Sequence, residues 1–199
     1  MKNLLPFEGE LYLARSFYKP AQSQQLFNTL RDDLAWQEEQ IYIYGRWLKV
    51  PRLMCWYGDE NAFYHYSGVN HQALPWIEPL LTVRKKIEDA YQCAFNSVMA
   101  NLYRNGSDSM GCHADDEKEL GLNPTIASLS LGAERLLKFR HQKSKQGVDV
   151  VLGQGDLLIM AGEIQHHWRH ELPKTKKTKT ERINLTYRKI IIGLGTCTK

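Results

Sequence analysis

Two stretches of the chain space their apolar residues as a helix does. In 21–40, AQSQQLFNTLRDDLAWQEEQ, Leu26, Leu30 and Leu34 recur every fourth residue among polar ones. Positions four apart share a helix face, so an amphipathic helix is predicted. In 75–95, PWIEPLLTVRKKIEDAYQCAF, Trp76, Leu80, Val83, Ile87, Ala90 and Tyr91 keep the same period, with Pro75 at the start, where its missing N–H costs nothing. Elsewhere the pattern shortens. IYIYGRWLKV (41–50) is β-branched and aromatic around Gly45 and predicts a hairpin. SVMANLYR (97–104), IASLSLG (126–132), RLLKFRH (135–141), VDVVLGQGDLLIM (148–160) and RINLTYRKIII (182–192) read as short strands punctuated by Gly, Pro and Asn. Two N-terminal helices followed by many short strands predict a mainly β chain with flanking α, its antiparallel sheet closed or sandwiched as in a jelly roll.

Length and composition narrow this. The 199 residues are 43% hydrophobic, enough for one substantial core, so one domain over 1–199 is expected. The start, MKNLLPFEGELYL, has one lysine and no long apolar run, and no window reaches a membrane-spanning length. A soluble intracellular protein, of the cytoplasm or of the nucleoid or nucleus, with no membrane partner, is the expectation. Cys55, Cys93, Cys112 and Cys197 form no C-x-x-C pair, which predicts free thiols rather than a disulfide framework or a zinc site. The net charge of +4 is mild. It is concentrated in PKTKKTKTER (173–182) and KFRHQKSKQG (138–147), which fits a surface that tracks phosphates and fits solvated lysine-rich loops equally well.

The chemistry starts at GCHADDEKELG (111–121), where His113 is followed by Asp115, Asp116 and Glu117. Adjacent carboxylates repel one another; such a run sits on a solvated loop or shares a cation. On a strand, His113 and Asp115 would point the same way, as two ligands of one metal must. With 7 histidines and 22 acids in the chain, an H-x-D match carries little alone. QHHWRHELP (165–173) adds three histidines in five residues. A second imidazole would complete the two-histidine, one-carboxylate triad of non-haem Fe(II) oxygenases. His166 and His170 share strand parity, so alternation alone does not choose between them. In RINLTYR, Arg182, Asn184, Thr186 and Arg188 share one strand face and Ile183, Leu185 and Tyr187 the other; in NLYR, Asn101 and Tyr103 oppose Leu102. A strand face carrying two guanidiniums, an amide and a hydroxyl is a costly interior. It is explained by a dianionic ligand gripped through paired hydrogen bonds, or by a sheet with one solvated face.

NLYRNGSDSMGCHADDEKEL (101–120), PTIASLSLGA (124–133), HHWRHELP (166–173) and RINLTYRK (182–189) resemble the AlkB family, in the branch of the human AlkB homologue 2. The likeness runs from about residue 41 to 192. R-x-N-L-T-x-R at its distance after W-x-H-x-L-P is its most specific part. The resemblance implies a double-stranded β-helix (jelly-roll) core over about 97–192, with nucleotide-recognition hairpins and a supporting helix over about 41–95. It implies an Fe(II)- and 2-oxoglutarate-dependent dioxygenase that uses O2 and demethylates N-alkylated bases of DNA, such as 1-methyladenine and 3-methylcytosine, releasing succinate, CO2 and formaldehyde. His113, Asp115 and His170 would hold the iron, His170 being preferred because the family's ligand lies three residues before the proline of L-P. Asn101, Tyr103, Arg182, Thr186 and Arg188 would bind 2-oxoglutarate, Arg182 through the distal carboxylate. Tyr64, Tyr66 and Ser67 of YHYSG would contact a flipped base, Glu117 would approach it, and Asp116, facing away on a strand, would hold an arginine. Tyr44 stands where the branch inserts an aromatic into the duplex, and Arg52 would contact phosphate with Arg46 and Lys49. A monomer acting on alkylated DNA is expected. The competing readings are the same chemistry on RNA, a protein or a small molecule, and a catalytically silent nucleic-acid binding module.

Overall fold

The computed structural model describes residues 1–43, 45–60, 62–66, 69–177 and 180–191; the side chains at 41–43, 63–66 and 69–72 also lie outside the description. Among the described residues thirteen strands and three α-helices follow in the order β1 (Glu10–Ala14), α1 (Pro20–Asp33), β2 (Gln37–Ile43), β3 (Arg46–Gly58), β4 (Phe63–Tyr66), β5 (Val69–Gln72), α2 (Glu78–Tyr91), β6 (Ser97–Tyr103), β7 (Met110–His113), β8 (Ile126–Gly132), β9 (Arg135–His141), β10 (Gly147–Leu152), β11 (Leu157–Ala161), α3 (Ile164–His167), β12 (Trp168–Leu172) and β13 (Arg182–Arg188). A seven-stranded sheet runs β1-β11-β8-β13-β6-β3-β2, a four-stranded sheet runs β10-β9-β12-β7, and β4 and β5 pair alone. The strand pairings are antiparallel. This is the jelly roll that the alternation predicts.

The large sheet is apolar on its outer face, where Leu102, Leu129, Leu131, Ile183, Leu185 and Tyr187 form one core with Phe27 and Leu30 of α1 and Leu80, Val83 and Ile87 of α2. A second core fills part of the space between the sheets, with Leu11, Ile126, Leu158 and Met160 among Leu137, Phe139, Val150, Leu152, Trp168 and Leu172. Each buried aliphatic side chain contributes about 1.5–3 kcal/mol, so both cores matter, but the outer one can be wholly apolar while the inner one shares its space with the site.

The predicted helices shorten. Residues 37–40 belong to β2, not α1, because the apolar four-residue period stops at Leu34 and QEEQIYI can pair with β3. The second helix begins at Glu78, with Pro79 rather than Pro75 in its first turn, and it follows five strands rather than preceding them. The stretch 148–160 breaks into β10 and β11 at a turn where Gly155 sits at φ 78, a conformation that favours glycine. The hairpin of β2 and β3 turns at Gly45, φ 76, as predicted. Strands β1, β4, β5 and β7 were too short for the pattern to show. No helix among the described residues is long and apolar enough to cross a membrane. Cys55, Cys93 and Cys112 are free thiols; Cys197 lies outside the described residues.

Candidate active site

A cavity of about 380 Å³ opens between the inner faces of the two sheets. Its large-sheet wall is polar because alternation leaves no choice. If Ile183, Leu185 and Tyr187 of β13 face the helices, then Arg182, Asn184, Thr186 and Arg188 face inward. The neighbouring strands obey the same parity. Asn184 lies opposite Asn101 of β6 on one side and Ser130 of β8 on the other, while Arg182 lies opposite Tyr103. All are buried except Arg188, which is nearly so, so the reading of a solvated strand face fails.

The polar groups on this wall are held by one another. Asn184 Nδ2 donates to Ser128 Oγ at 2.8 Å and to the Leu129 carbonyl at 3.1 Å, and Thr186 Oγ1 donates to Asn184 Oδ1 at 3.1 Å. Arg182 Nη2 donates to Ser130 Oγ at 2.8 Å. Its guanidinium carbon sits 5.3 Å from the centroid of the Tyr103 ring. Burial pulls its pKa down to about 10, which still leaves it charged at neutral pH. Its Nε has no hydrogen-bond partner, and no carboxylate among the described residues pairs with it. A buried cation with an idle donor is expensive unless an anion joins it. The arrangement fits one carboxylate of a small diacid.

Opposite this wall, His113 ends β7 and His170 lies across from it on β12. Asp115 reaches the same point from the segment after β7, not from a strand, which corrects the strand argument for its direction. Its backbone N–H donates to Gln165 Oε1 at 3.0 Å. The three ligand atoms lie within 4.8 Å of one another. His113 Nε2 is 3.8 Å from Asp115 Oδ1, and His170 Nε2 is 3.9 Å from Asp115 Oδ2. Arg188 Nη2 donates to Asp115 Oδ1 at 2.7 Å, while Oδ2 is buried without a hydrogen-bond partner. Burial pushes the Asp115 carboxyl upward, but Arg188, His170 and His113 outweigh it and hold it down to about 2. Burial, with His113 alongside, brings His170 down to about 3 despite Asp115. The site therefore offers a carboxylate and a neutral imidazole at neutral pH.

The tautomer of His113 completes the donor set. Its Nδ1 lies 2.8 Å from the Gly111 carbonyl, which can only accept, so Nδ1 carries the hydrogen and Nε2 turns a lone pair toward Asp115. A second cluster, Glu8, His141 and His167, has comparable spacing but the opposite tautomer. The Ser144 backbone N–H donates to His141 Nδ1 at 3.0 Å. The hydrogen is then on Nε2, 2.6 Å from Glu8 Oε2. That cluster is satisfied as a histidine–glutamate clasp; the first presents lone pairs and an idle carboxylate oxygen, the set that a divalent iron takes.

The sequence-predicted residues fare unevenly. His113, Asp115, His170, Asn101, Tyr103, Arg182, Thr186, Arg188 and Glu117 all line the cavity. His166 is on α3 and bonds the Leu122 carbonyl instead. Arg188 grips Asp115, so it serves the carboxylate of the candidate metal site rather than being wholly available to a diacid. Asp116 is exposed, lies outside any strand and has no arginine partner among the described residues. Arg52 is 3% exposed and donates through Nε to Asn101 Oδ1 at 2.7 Å; a phosphate cannot reach it, because its alternation on β3 turns it inward. Lys49, by contrast, is exposed and pairs with Glu38 at 2.8 Å. Tyr64 and Tyr66 are on β4, with their side chains outside the description; Tyr44 and Ser67 lie outside the described residues. Sequence reasoning missed Ser128, Ser130 and Gln165. IASLSLG alternates serine with leucine as plainly as RINLTYR alternates its own residues, and that signal could have found the serines. Nothing in QHHWRH marks Gln165.

Comparison with known proteins agrees with this geometry. The 2OG-Fe(II) oxygenase superfamily pattern matches residues 10–188. DNA oxidative demethylase ALKBH2 of Bos taurus is 36% identical over 182 residues, covering 86% of this chain and 66% of that protein. The human ALKBH2 is also 36% identical, over 86% of this chain and 70% of its own. A solved chain described as "The structure of OsALKBH1" superposes with a TM-score of 0.68 at 16% identity, over 93% of this chain and 99% of that one, a likeness of fold.

Proposed function

Because the chain belongs to the AlkB family of the 2OG-Fe(II) oxygenase superfamily, we propose that it oxidatively demethylates N-alkylated bases in DNA, 1-methyladenine and 3-methylcytosine among them. Succinate, CO2 and formaldehyde are the co-products. The family's cofactors are Fe(II), 2-oxoglutarate and O2. The observation that carries the reading is the presence of two idle polar atoms in one cavity: an unpartnered Asp115 oxygen between two imidazoles, and an unpartnered Arg182 Nε on the facing wall.

His113, Asp115 and His170 would hold the iron, and Arg182, Tyr103 and Asn101 would hold the co-substrate. When bound, the iron and 2-oxoglutarate together supply the two-electron oxidation of an N-methyl C–H bond by O2. The protein's own work is placement. Arg188 and Gln165 fix the two ends of Asp115. Arg52 takes up the carbonyl oxygen of the Asn101 amide and so turns its NH2 away. The remaining wall, with Met54, Met99, Met110, Leu137, Met160 and Leu172, excludes water and lets an alkyl carbon approach without a competing donor. Glu117, at the cavity wall, would favour a cationic methylated base over a neutral one.

The test is a panel of methylated single- and double-stranded DNA and RNA oligonucleotides, scored by mass with added Fe(II) and 2-oxoglutarate. Methyl loss from DNA with matching succinate is expected, and none from His113→Ala. Succinate without methyl loss would shift the substrate to another class, and repair by His113→Ala would remove the triad. Faster methyl loss from RNA would move the preferred nucleic acid.

A further inference from the structure

Arg135, the first residue of β9, is 2% exposed. It does not line the cavity, and no carboxylate among the described residues lies within ion-pair distance of it. Its acceptors are neutral. Nη2 donates to the Asp108 carbonyl at 2.9 Å and the Pro173 carbonyl at 2.7 Å, and Nη1 to the Asn105 carbonyl at 3.3 Å. The Asp108 carboxylate, bonded by Arg104, attracts Arg135 only beyond ion-pair distance, and a buried guanidinium whose hydrogen bonds all go to carbonyls is a poor bargain for stability, since an apolar side chain of similar volume would pack there without the desolvation cost. Its neighbours suggest what it does instead. Its guanidinium carbon sits 5.7 Å from the Tyr103 ring centroid, and that of Arg182 sits 5.3 Å from the same centroid. The carbonyls that it gathers belong to the turn just after Tyr103 and to the residue just after β12, the strand that carries His170. One planar fork thus ties the end of the co-substrate strand to the end of a metal-ligand strand, with the Tyr103 ring against it.

We propose that Arg135 is a positioning residue for the dicarboxylate co-substrate, holding the Tyr103 ring so that its hydroxyl and Arg182 meet one carboxylate together. This rests on the reading above, in which Tyr103 and Arg182 bind 2-oxoglutarate. Arg135 touches neither co-substrate nor metal and acts through Tyr103. Replacing the fork by the ammonium of lysine keeps a charge but gathers its three donors at one nitrogen, which cannot span both strand ends.

The experiment is titration of 2-oxoglutarate into the Mn(II)-loaded protein by calorimetry, with steady-state kinetics of the Fe(II) enzyme beside it. Arg135→Lys should weaken 2-oxoglutarate binding about five- to tenfold, the scale of a desolvated cation–ring contact. Its kcat at saturating 2-oxoglutarate and its KM for methylated oligonucleotide should stay within about twofold, a split that a general loss of structure does not give. In a Tyr103→Phe background, where no hydroxyl remains to be placed, the same substitution should have no further effect. Wild-type affinity in Arg135→Lys, an undiminished effect in the Tyr103→Phe background, or a parallel rise in the oligonucleotide KM would each overturn the proposal. Arg182→Met separates it from its premise. If that variant binds 2-oxoglutarate normally, the co-substrate reading falls and this one with it. If Arg182→Met loses binding while Arg135→Lys keeps it, only the role of Arg135 falls.

Discussion

Gln165→Met tests how the site holds its carboxylate. Gln165 is 1% exposed; its Oε1 accepts the Asp115 backbone N–H at 3.0 Å, and its Nε2 lies 3.8 Å from the Met160 sulfur. Methionine nearly matches its volume, so the change opens no cavity and repacking should cost under about 1.5 kcal/mol. The buried N–H of Asp115 then loses its acceptor, at about 1–3 kcal/mol. Removing an amide NH2 whose only partner among the described residues was a thioether returns part of this. A net loss of about 1–2 kcal/mol follows, which for a chain of this size lowers Tm by about 3–6 °C. The larger effect falls on metal binding. Groups that orient a ligand are worth about 10- to 100-fold in metal affinity. Arg188 still holds the carboxylate at 2.7 Å, so about tenfold is expected. Thermal unfolding of the metal-free protein gives the first quantity, and competition for Mn(II) with a fluorescent chelator gives the second. Unchanged Mn(II) affinity beside a lowered Tm would refute the reasoning by reducing Gln165 to core filling.

Other outcomes are expected. Glu117→Gln should lower kcat/KM for cationic 1-methyladenine by about tenfold, the worth of one partly screened charge pair, and much less for a neutral alkylated base; equal losses would deny Glu117 an electrostatic role. Tyr44→Ala should reduce turnover of duplex oligonucleotides more than of single strands, which paired rate measurements would show; equal losses would remove the wedge. The metal-free protein should be acid-labile in a defined window. His170 is brought down to about 3 from an ordinary 6.5, so in that interval the unfolded chain binds a proton that the folded chain refuses. Stability is full above about pH 6.5 and is lost as pH falls toward 3, at up to about 1.4 kcal/mol per pH unit. The depressed Asp115 adds its own loss below 3.8. Urea midpoints that stay level from pH 7 to pH 4.5 would contradict this.

The strands that carry the site were legible because their burial is two-sided in kind. RINLTYR sorts its residues by parity into a polar set and an apolar set, and the structure puts the first on the cavity and the second on the helices. The same rule placed Asn101 and Tyr103. It failed where the backbone leaves the strand. Asp115 and Asp116 lie beyond β7, so parity did not govern them, and the arginine expected beside Asp116 binds Asp115 instead. At Arg52 the charge-based reading failed instead: charge suggested the surface while alternation on β3 dictated the interior. Charge is a weak guide to exposure when the interior itself is built for ions. Gln165 and Arg135 were illegible for another reason: each acts through one contact with a residue 50 or 32 positions distant in sequence, a distance that no local pattern encodes.

The division of the large sheet explains how so polar a cavity is tolerated. Arginines at 52, 182 and 188, an aspartate, two asparagines and two serines project into one space or border it. Apolar side chains in those places would stabilise the fold more. The fold compensates on the other side of the same strands. Between the four inward polar residues of β13 stand three outward ones, Ile183, Leu185 and Tyr187, fully buried against the two helices. Tyr187 even finds a buried acceptor, the Leu80 carbonyl at 2.9 Å. At about 1.5–3 kcal/mol for each large apolar side chain removed from water, those three offset much of what burying the inward ion-binding groups costs. The helices thus give the sheet its apolar anchor, so that its inner face is released for binding a metal and an anion. A truncated jelly roll without α1 and α2 would expose Leu129, Leu131, Ile183 and Leu185 and lose that support, although every cavity-lining residue would still be present.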